Sequence, residues 1–173
     1  MQRIWITGSA GAGKTTLANR IGKHLGIEVT HRDAISWYGN WKMRAEKEQI
    51  KMVQEATRRP KWIFDSNRFT AAKVDGRYDT ADTIIALELN RWLCLSRIFK
   101  RYRQNKGTVR PDLVDECYET VDFEIVKYIL WDYPKRRKRR MSYLSQARQD
   151  GKKVYIFKTQ KQIDRWLKER GIQ

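Results

Sequence analysis

Eight consecutive residues, Gly8-Ser9-Ala10-Gly11-Ala12-Gly13-Lys14-Thr15, fit the pattern G-x-x-x-x-G-K-[ST], and their flanks restrict the chain to few architectures. Before them, Arg3-Ile4-Trp5-Ile6-Thr7 is a β-branched and aromatic run stopped at Gly8, the pattern of a buried strand ended by a turn. After them, Leu17, Ile21 and Leu25 recur on one helical face, and Gly26 is placed to end that helix in the left-handed region. A strand, a glycine-rich turn and a helix, in that order, form the context in which this pattern holds phosphate. The glycines let the backbone curl so that its N–H groups meet phosphate oxygens, and the helix starting near Lys14 offers the positive end of its dipole. Lys14 places a charge near the β- and γ-phosphates of a nucleoside triphosphate, and Thr15 supplies a hydroxyl for Mg²⁺. The expected nucleotide contacts are therefore Gly8 to Thr15, with Thr16 the next residue of the helix. The dinucleotide pattern G-x-G-x-x-G is not matched.

The rest of the chain alternates strand and helix signals. Strands are predicted at Ile27–Thr30, Lys61–Asp65, Asp82–Leu89 and Lys153–Phe157, the run from Asp82 to Leu89 apolar on both faces as a buried parallel strand should be. Helices are predicted at Arg44–Arg58, at Arg91 to about Asn105 with Asn90 as cap, from about Tyr118 to Trp131, after Pro134, and around Ile163, Trp166 and Leu167. This order argues for a three-layer α/β/α sandwich on a parallel sheet. With 173 residues, the chain has room for one such domain over 1–173, and no repeat or linker divides it. Within the helix from Arg91, the expected core face is Trp92, Leu95, Phe99 and Tyr102, with Arg97, Arg101 and Arg103 mostly elsewhere. Lys106 to Asp112 breaks the periodicity, which places a lid at about 97–117.

Several charged residues sit where the chemistry of phosphoryl transfer needs them. Asp33, nineteen residues after Lys14, lies at the predicted end of the second strand. There it would accept a proton from an attacking hydroxyl or serve as a turn or helix cap. Asp65 ends the third strand, suited to Mg²⁺ directly or through water, with turn initiation as its plainer role; Arg68 is placed to clamp an anionic acceptor. Arg101 and Arg110, on or beside the lid, would stabilise charge during transfer. Adenine contacts are expected from Arg101 and the segment near Thr159 and Gln160.

Lysine and arginine number 37 against 20 aspartates and glutamates, a net charge of +17 that calls for anionic partners. The run Lys135-Arg136-Arg137-Lys138-Arg139-Arg140 covers more than one helical turn, so it is no one-sided face. It reads as solvated charge or, with Tyr128, Trp131, Tyr133 and Tyr143 nearby, as a polynucleotide-binding segment. Cys94 and Cys117 form no ligand cluster, and no apolar run is long enough to span a bilayer. The expectation is a cytoplasmic protein with reduced thiols and no membrane partner.

The phosphate loop, Asp33 with Trp37, the strand Trp62-Ile63-Phe64-Asp65, the run Arg91-Trp92-Leu93-Cys94-Leu95-Ser96-Arg97 and the run Trp131-Asp132-Tyr133-Pro134-Lys135-Arg136-Arg137 together resemble the topology modulation protein (FlaR-like) family of adenylate-kinase-related P-loop proteins. The resemblance extends over nearly the whole chain. It implies a nucleoside-kinase-like fold with a five-stranded parallel sheet of order 2-3-1-4-5, an arginine-bearing lid and ATP binding. Two segments depart from the family pattern: Asp65-Ser66-Asn67-Arg68, where a glycine commonly follows the acidic residue, and Val114-Asp115-Glu116, where the lid is usually glycine-bearing. The expected function is an ATP- and Mg²⁺-dependent kinase acting on a small acceptor. The alternative is a nucleic-acid-associated P-loop protein.

Overall fold

The computed structural model describes residues 1–38, 42–105 and 121–173. Five parallel strands, β1 (Arg3–Gly8), β2 (Val29–His31), β3 (Trp62–Asp65), β4 (Thr83–Leu87) and β5 (Lys153–Phe157), form one sheet of order β2-β3-β1-β4-β5. The helices are α1 (Lys14–Leu25), α2 (Arg32–Ser36), α3 (Glu46–Thr57), α4 (Phe69–Val74), α5 (Arg77–Thr80), α6 (Arg91–Asn105), α7 (Phe123–Lys127), α8 (Tyr133–Lys135), α9 (Arg137–Gln149) and α10 (Gln160–Lys168). A π-helical turn, Tyr128–Asp132, joins α7 to α8. Among the described residues no helix is long and apolar enough to cross a membrane.

Strand alternation divides the core. Ile4 and Ile6 of β1 face Leu17 and Ile21 of α1 and Ile98 of α6, whereas Trp5 faces Phe64, Ile84 and Leu144 on the opposite side of the sheet. All three β1 residues are fully buried, as a central strand covered on both faces requires. The chain turns from one side of the sheet to the other around β1, so the loop that leaves its carboxyl end opens into the crevice where ligands of such sheets bind.

The fold departs from the sequence reading in three places. The second strand starts two residues later and ends one later, at Val29–His31, and the chain passes directly into a short helix, α2, that carries Asp33 in its first turn. Helices α2, α4 and α5 have six residues or fewer and carry no periodic signal. In α6 the buried residues are Cys94 and Ile98, while Trp92 and Phe99 are 58% and 45% exposed. The rotation follows from contact with the phosphate loop: a Cβ built on Gly11 would meet the Cys94 carbonyl oxygen at 2.2 Å. A backbone approach that close admits a small residue on the helix face and turns the aromatics outward. The lid from residue 106 on, with Arg110 and the predicted helix start at Tyr118, lies outside the described residues.

Asp82 ties the start of β1 to β4. Its Oδ2 accepts from the Gln2 and Arg3 backbone N–H groups, both at 2.9 Å, and its Oδ1 from the Thr83 hydroxyl at 2.6 Å. Burial pushes this carboxyl up, but the hydrogen bonds from Thr83, Arg3 and Gln2 outweigh it and hold the pKa below its ordinary 3.8. A carboxylate depressed on folding stabilises above its unfolded pKa and loses that contribution as pH falls through the folded value. Asp82→Asn is therefore expected to lose on the order of 1 kcal/mol at neutral pH and almost nothing near about pH 2. Thermal melts of both proteins at the two pH values check this.

Candidate active site

Positive φ at Gly11 (+74°) and Gly13 (+88°) curls the loop after β1, and the Ala12 N–H donates to the Ser9 carbonyl at 3.2 Å. Side chains strongly resist this backbone region. Helix α1 begins immediately after Gly13, with no side-chain cap and no acidic residue in its first turn, so its leading N–H groups remain available to an anion. Lys14 folds back over the loop, its Nζ donating to the Ser9 carbonyl at 3.1 Å. Thr15 Oγ1 donates to Asp65 Oδ2 at 2.6 Å, and His31 Nδ1 lies 3.4 Å from the same oxygen. Burial pushes the Asp65 carboxyl up, yet the His31 hydrogen bond, the Lys14 charge and the Thr15 hydroxyl bring its pKa below the ordinary value. Asp65 is thus a buried carboxylate, ionised and facing the loop.

Thr15 and Asp65 offer a hydroxyl and a carboxylate, the hard oxygen donors that Mg²⁺ takes together with water and phosphate oxygens. Among the described residues no group of three or more His, Cys, Asp or Glu side chains gathers that could hold a metal. The donor set therefore fits an ion shared with a polyphosphate rather than one caged by protein.

Two cavities meet at this end of the sheet. One, of about 260 Å³, runs along the loop past Lys14, Thr15 and Thr16 to Arg97 and Arg101. The other, of about 400 Å³, lies between α2, the β3–α4 connection and the start of α9. Asp33 and Asn67 line both. Arg68 is exposed at the wall of the larger one, its backbone N–H held by Ser66 Oγ at 3.3 Å. The π-helical turn brings the Tyr128 hydroxyl to Asn67, whose Nδ2 donates to it at 3.1 Å. A third cavity, of about 290 Å³, opens on the opposite side of the loop, lined by Thr16, Arg20, Arg97 and Gln160. Arg97 Nη2 donates to Gln160 Oε1 at 2.8 Å, so Arg97 spans from the loop to the segment after β5, the place expected for Arg101. Thr159 caps α10 by accepting from the Gln162 N–H.

The basic run is not uniform. Arg140 is buried: its Nε and Nη2 donate to the two Glu88 carboxylate oxygens at 2.8 Å, its Nη1 donates to the Tyr133 carbonyl, and its guanidinium lies 3.4 Å from the Tyr133 ring centre. Tyr133 also donates its hydroxyl to Glu88 at 2.8 Å. Lys135 to Arg139 are all exposed, and Arg136 and Arg139 also line the larger cavity. Of the four aromatics considered for stacking, Tyr133 is buried, Tyr128 and Tyr143 are half-buried and only Trp131 is exposed. The polynucleotide reading gains nothing from this division.

Sequence reasoning missed His31, Arg32 and Asn67, and took Tyr128 for a base-stacking residue rather than part of the larger cavity's wall. Arg32, beside Asp33 in the short α2, is 4% exposed. Burial, followed by repulsion from Arg77 and Arg68, brings its pKa down to about 10, with Asp75 and Asp33 acting in the opposite sense, so it keeps its charge at neutral pH. The one local signal was the polar triplet His31-Arg32-Asp33 at the end of a strand.

A phosphate loop leaving the central strand of a 2-3-1-4-5 parallel sheet gives the chain a P-loop kinase-like fold. Its relatives in fold are small-molecule and nucleoside kinases. The chain is similar to shikimate kinase from Acinetobacter baumannii in complex with shikimate, at 15% identity over 100% of this chain and 96% of that one with a TM-score of 0.53. It is also similar to shikimate kinase from Bacteroides thetaiotaomicron, at 22% identity over 91% and 86% with a TM-score of 0.56. To deoxyadenosine kinase from M. mycoides with bound dATP it is 19% identical over 99% and 100%, with a TM-score of 0.53. No family model and no curated protein sequence matches the chain. At these identities the likeness is one of fold.

Proposed function

We propose that the protein is an ATP- and Mg²⁺-dependent phosphotransferase of the topology modulation protein (FlaR-like) kind, moving the γ-phosphoryl group to a hydroxyl of a small acceptor. The observation that carries this reading is the meeting of the loop cavity and the larger cavity at Asp33 and Asn67. The triphosphate lies along Gly8 to Thr16 with the loop N–H groups on its oxygens, and the nucleobase falls toward Arg97 and Gln160. Thr15 and Asp65 would hold Mg²⁺, which supplies charge neutralisation on the β- and γ-oxygens. The acceptor occupies the larger cavity with its hydroxyl at Asp33.

Transfer forms a bond between the acceptor oxygen and the γ-phosphorus and breaks the bond to the β–γ bridging oxygen, releasing ADP. Asp33 takes the hydroxyl proton. Little covalent chemistry is asked of the protein; Lys14 and Arg101, with Arg110 from the lid, offset charge on the phosphoryl oxygens. Asp33 is exposed and belongs to no ion pair among the described residues, so exchanging it for asparagine spares the fold. Asp33→Asn is expected to lower kcat by about 10²-fold or more while the KM for ATP stays near the wild-type value. An unchanged kcat would remove Asp33 from the proton-transfer role.

A further inference from the structure

The arginines of the larger cavity bear on the acceptor's chemical class, an inference that rests on the phosphotransferase reading. Arg32 and Asp33 are neighbours in α2, yet Asp33 lines both cavities and Arg32 only the larger. Asp33 therefore stands where the larger cavity meets the loop cavity, whereas Arg32 lines the larger cavity alone.

Arg32 is buried, and its Nε and Nη1 have no hydrogen-bond partner among the described residues. No ion pair among the described residues includes it. The acid that would otherwise serve, Asp75, is committed to Arg77, which donates to its two oxygens at 2.9 and 2.7 Å. Buried guanidinium groups normally have their N–H donors satisfied, because an unpaired buried charge is costly. A buried guanidinium that lines a cavity and has no ion partner among the described residues matches a carboxylate or phosphate more closely than it matches any neutral group.

The surrounding charge agrees. Arg68, Arg136 and Arg139 line the same cavity, and Asp33 is the one carboxylate among its described lining residues. Arg140, also in the wall, is neutralised by Glu88. A neutral acceptor would leave this concentration of positive charge unanswered, whereas an anion would relieve the mutual repulsion of Arg32, Arg68 and Arg77. The carboxylate of Asp33 repels an anion beside it, which favours a hydroxyl there and the charge among the arginines of the larger cavity.

We propose that the acceptor is a small hydroxylated oxyanion, a hydroxy acid or a sugar phosphate, whose carboxylate or phosphate sits on Arg32 while the hydroxyl to be phosphorylated lies at Asp33. The test compares hydroxy acids with their amides and sugar phosphates with the free sugars. Each compound is assayed both for transfer from ATP and for calorimetric binding to the protein saturated with a non-hydrolysable ATP analogue. The wild type is set against Arg32→Met, Arg32→Lys and Arg68→Gln.

At least one anion is expected to exceed its neutral counterpart by about 10²-fold in kcat/KM, and Arg32→Met to raise the KM for that anion by about 10²-fold with the KM for ATP unchanged. Arg32→Lys should recover part of the loss. Arg68→Gln, at an exposed position, should raise the same KM less and keeps the test decisive if Arg32→Met fails to fold. Preference for the acid or for the phosphate tells the two sources apart. Neutral compounds performing as well as the anions, or an anion KM indifferent to Arg32 and Arg68, would overturn the inference. An anion that binds through Arg32 without being phosphorylated would uphold the anion site and overturn the phosphotransferase reading instead.

Discussion

Lys14→Ala is expected to lower kcat/KM for phosphoryl transfer by at least about 10²- to 10³-fold, the loss that follows removal of one preorganised charge-stabilising group. Among the described residues the Lys14 side chain makes one hydrogen bond, to the Ser9 carbonyl across the loop, and its charge lowers the pKa of Asp65. Its removal should therefore leave melting temperature and circular dichroism close to wild type while transfer collapses. Lys14→Arg is expected to rescue little, because a planar guanidinium does not replace a point charge inside a loop folded this closely. Unimpaired transfer by a folded Lys14→Ala protein would mean that the loop is not where the triphosphate reacts.

The largest effect on stability is expected at Arg140. Arg140→Met leaves Glu88 buried without its partner and should cost about 3–5 kcal/mol, read from chemical denaturation. The pair is 6% and 7% exposed, and its members bind each other through two bonds of 2.8 Å. Tyr133 closes the cluster from both sides, accepting the Arg140 Nη1 donor at its carbonyl and donating its own hydroxyl to Glu88. Burial, then the Glu88 charge, pushes the Tyr133 phenol far above its usual range, so it remains a donor at every working pH. Glu88→Gln combined with Arg140→Met removes both charges and should regain part of the loss, since the penalty lies mainly in the orphaned carboxylate. A cost under about 1 kcal/mol, the range of exposed pairs, would show that the cluster does not fasten α9 to the end of β4.

Much of the fold was legible in the sequence because its signals are local. The phosphate loop is contiguous, the strand before it is apolar, the helix after it has a clean period, and Gly26 ends that helix at φ +63° as expected. Asn90 caps α6 as its position suggested, accepting from the Trp92 N–H at 2.8 Å. The strand order was implied by a family resemblance rather than by periodicity, and the sheet has that order. The outward face of α6 was not legible, because it depends on Gly11 meeting Cys94 across the molecule, and no pattern within the helix reports that contact.

The site divides along the same line. Lys14, Thr15 and Asp65 come together because a motif and a strand end bring them there, and the Thr15–Asp65 hydrogen bond joins them. The larger cavity is built from single residues on elements far apart in the chain: Arg32 on α2, Asn67 after β3, Tyr128 in the π-helical turn, Arg136 before α9 and Arg139 within it. Arginines read from sequence are taken as solvated, since charged residues seldom bury. Arg140 and Arg32 break that rule for opposite reasons: Glu88 pairs with the first, whereas nothing within the described protein pairs with the second.

The most direct test of the account is transfer of labelled γ-phosphate from ATP to a panel of small hydroxyl compounds, nucleosides, nucleoside monophosphates and 5′-hydroxyl oligonucleotides, with Lys14→Ala as the control. The account predicts Mg²⁺-dependent transfer to a small hydroxyl acceptor that disappears in Lys14→Ala. Transfer to oligonucleotides alone, or tight ATP binding with no transfer to any small acceptor, would contradict it.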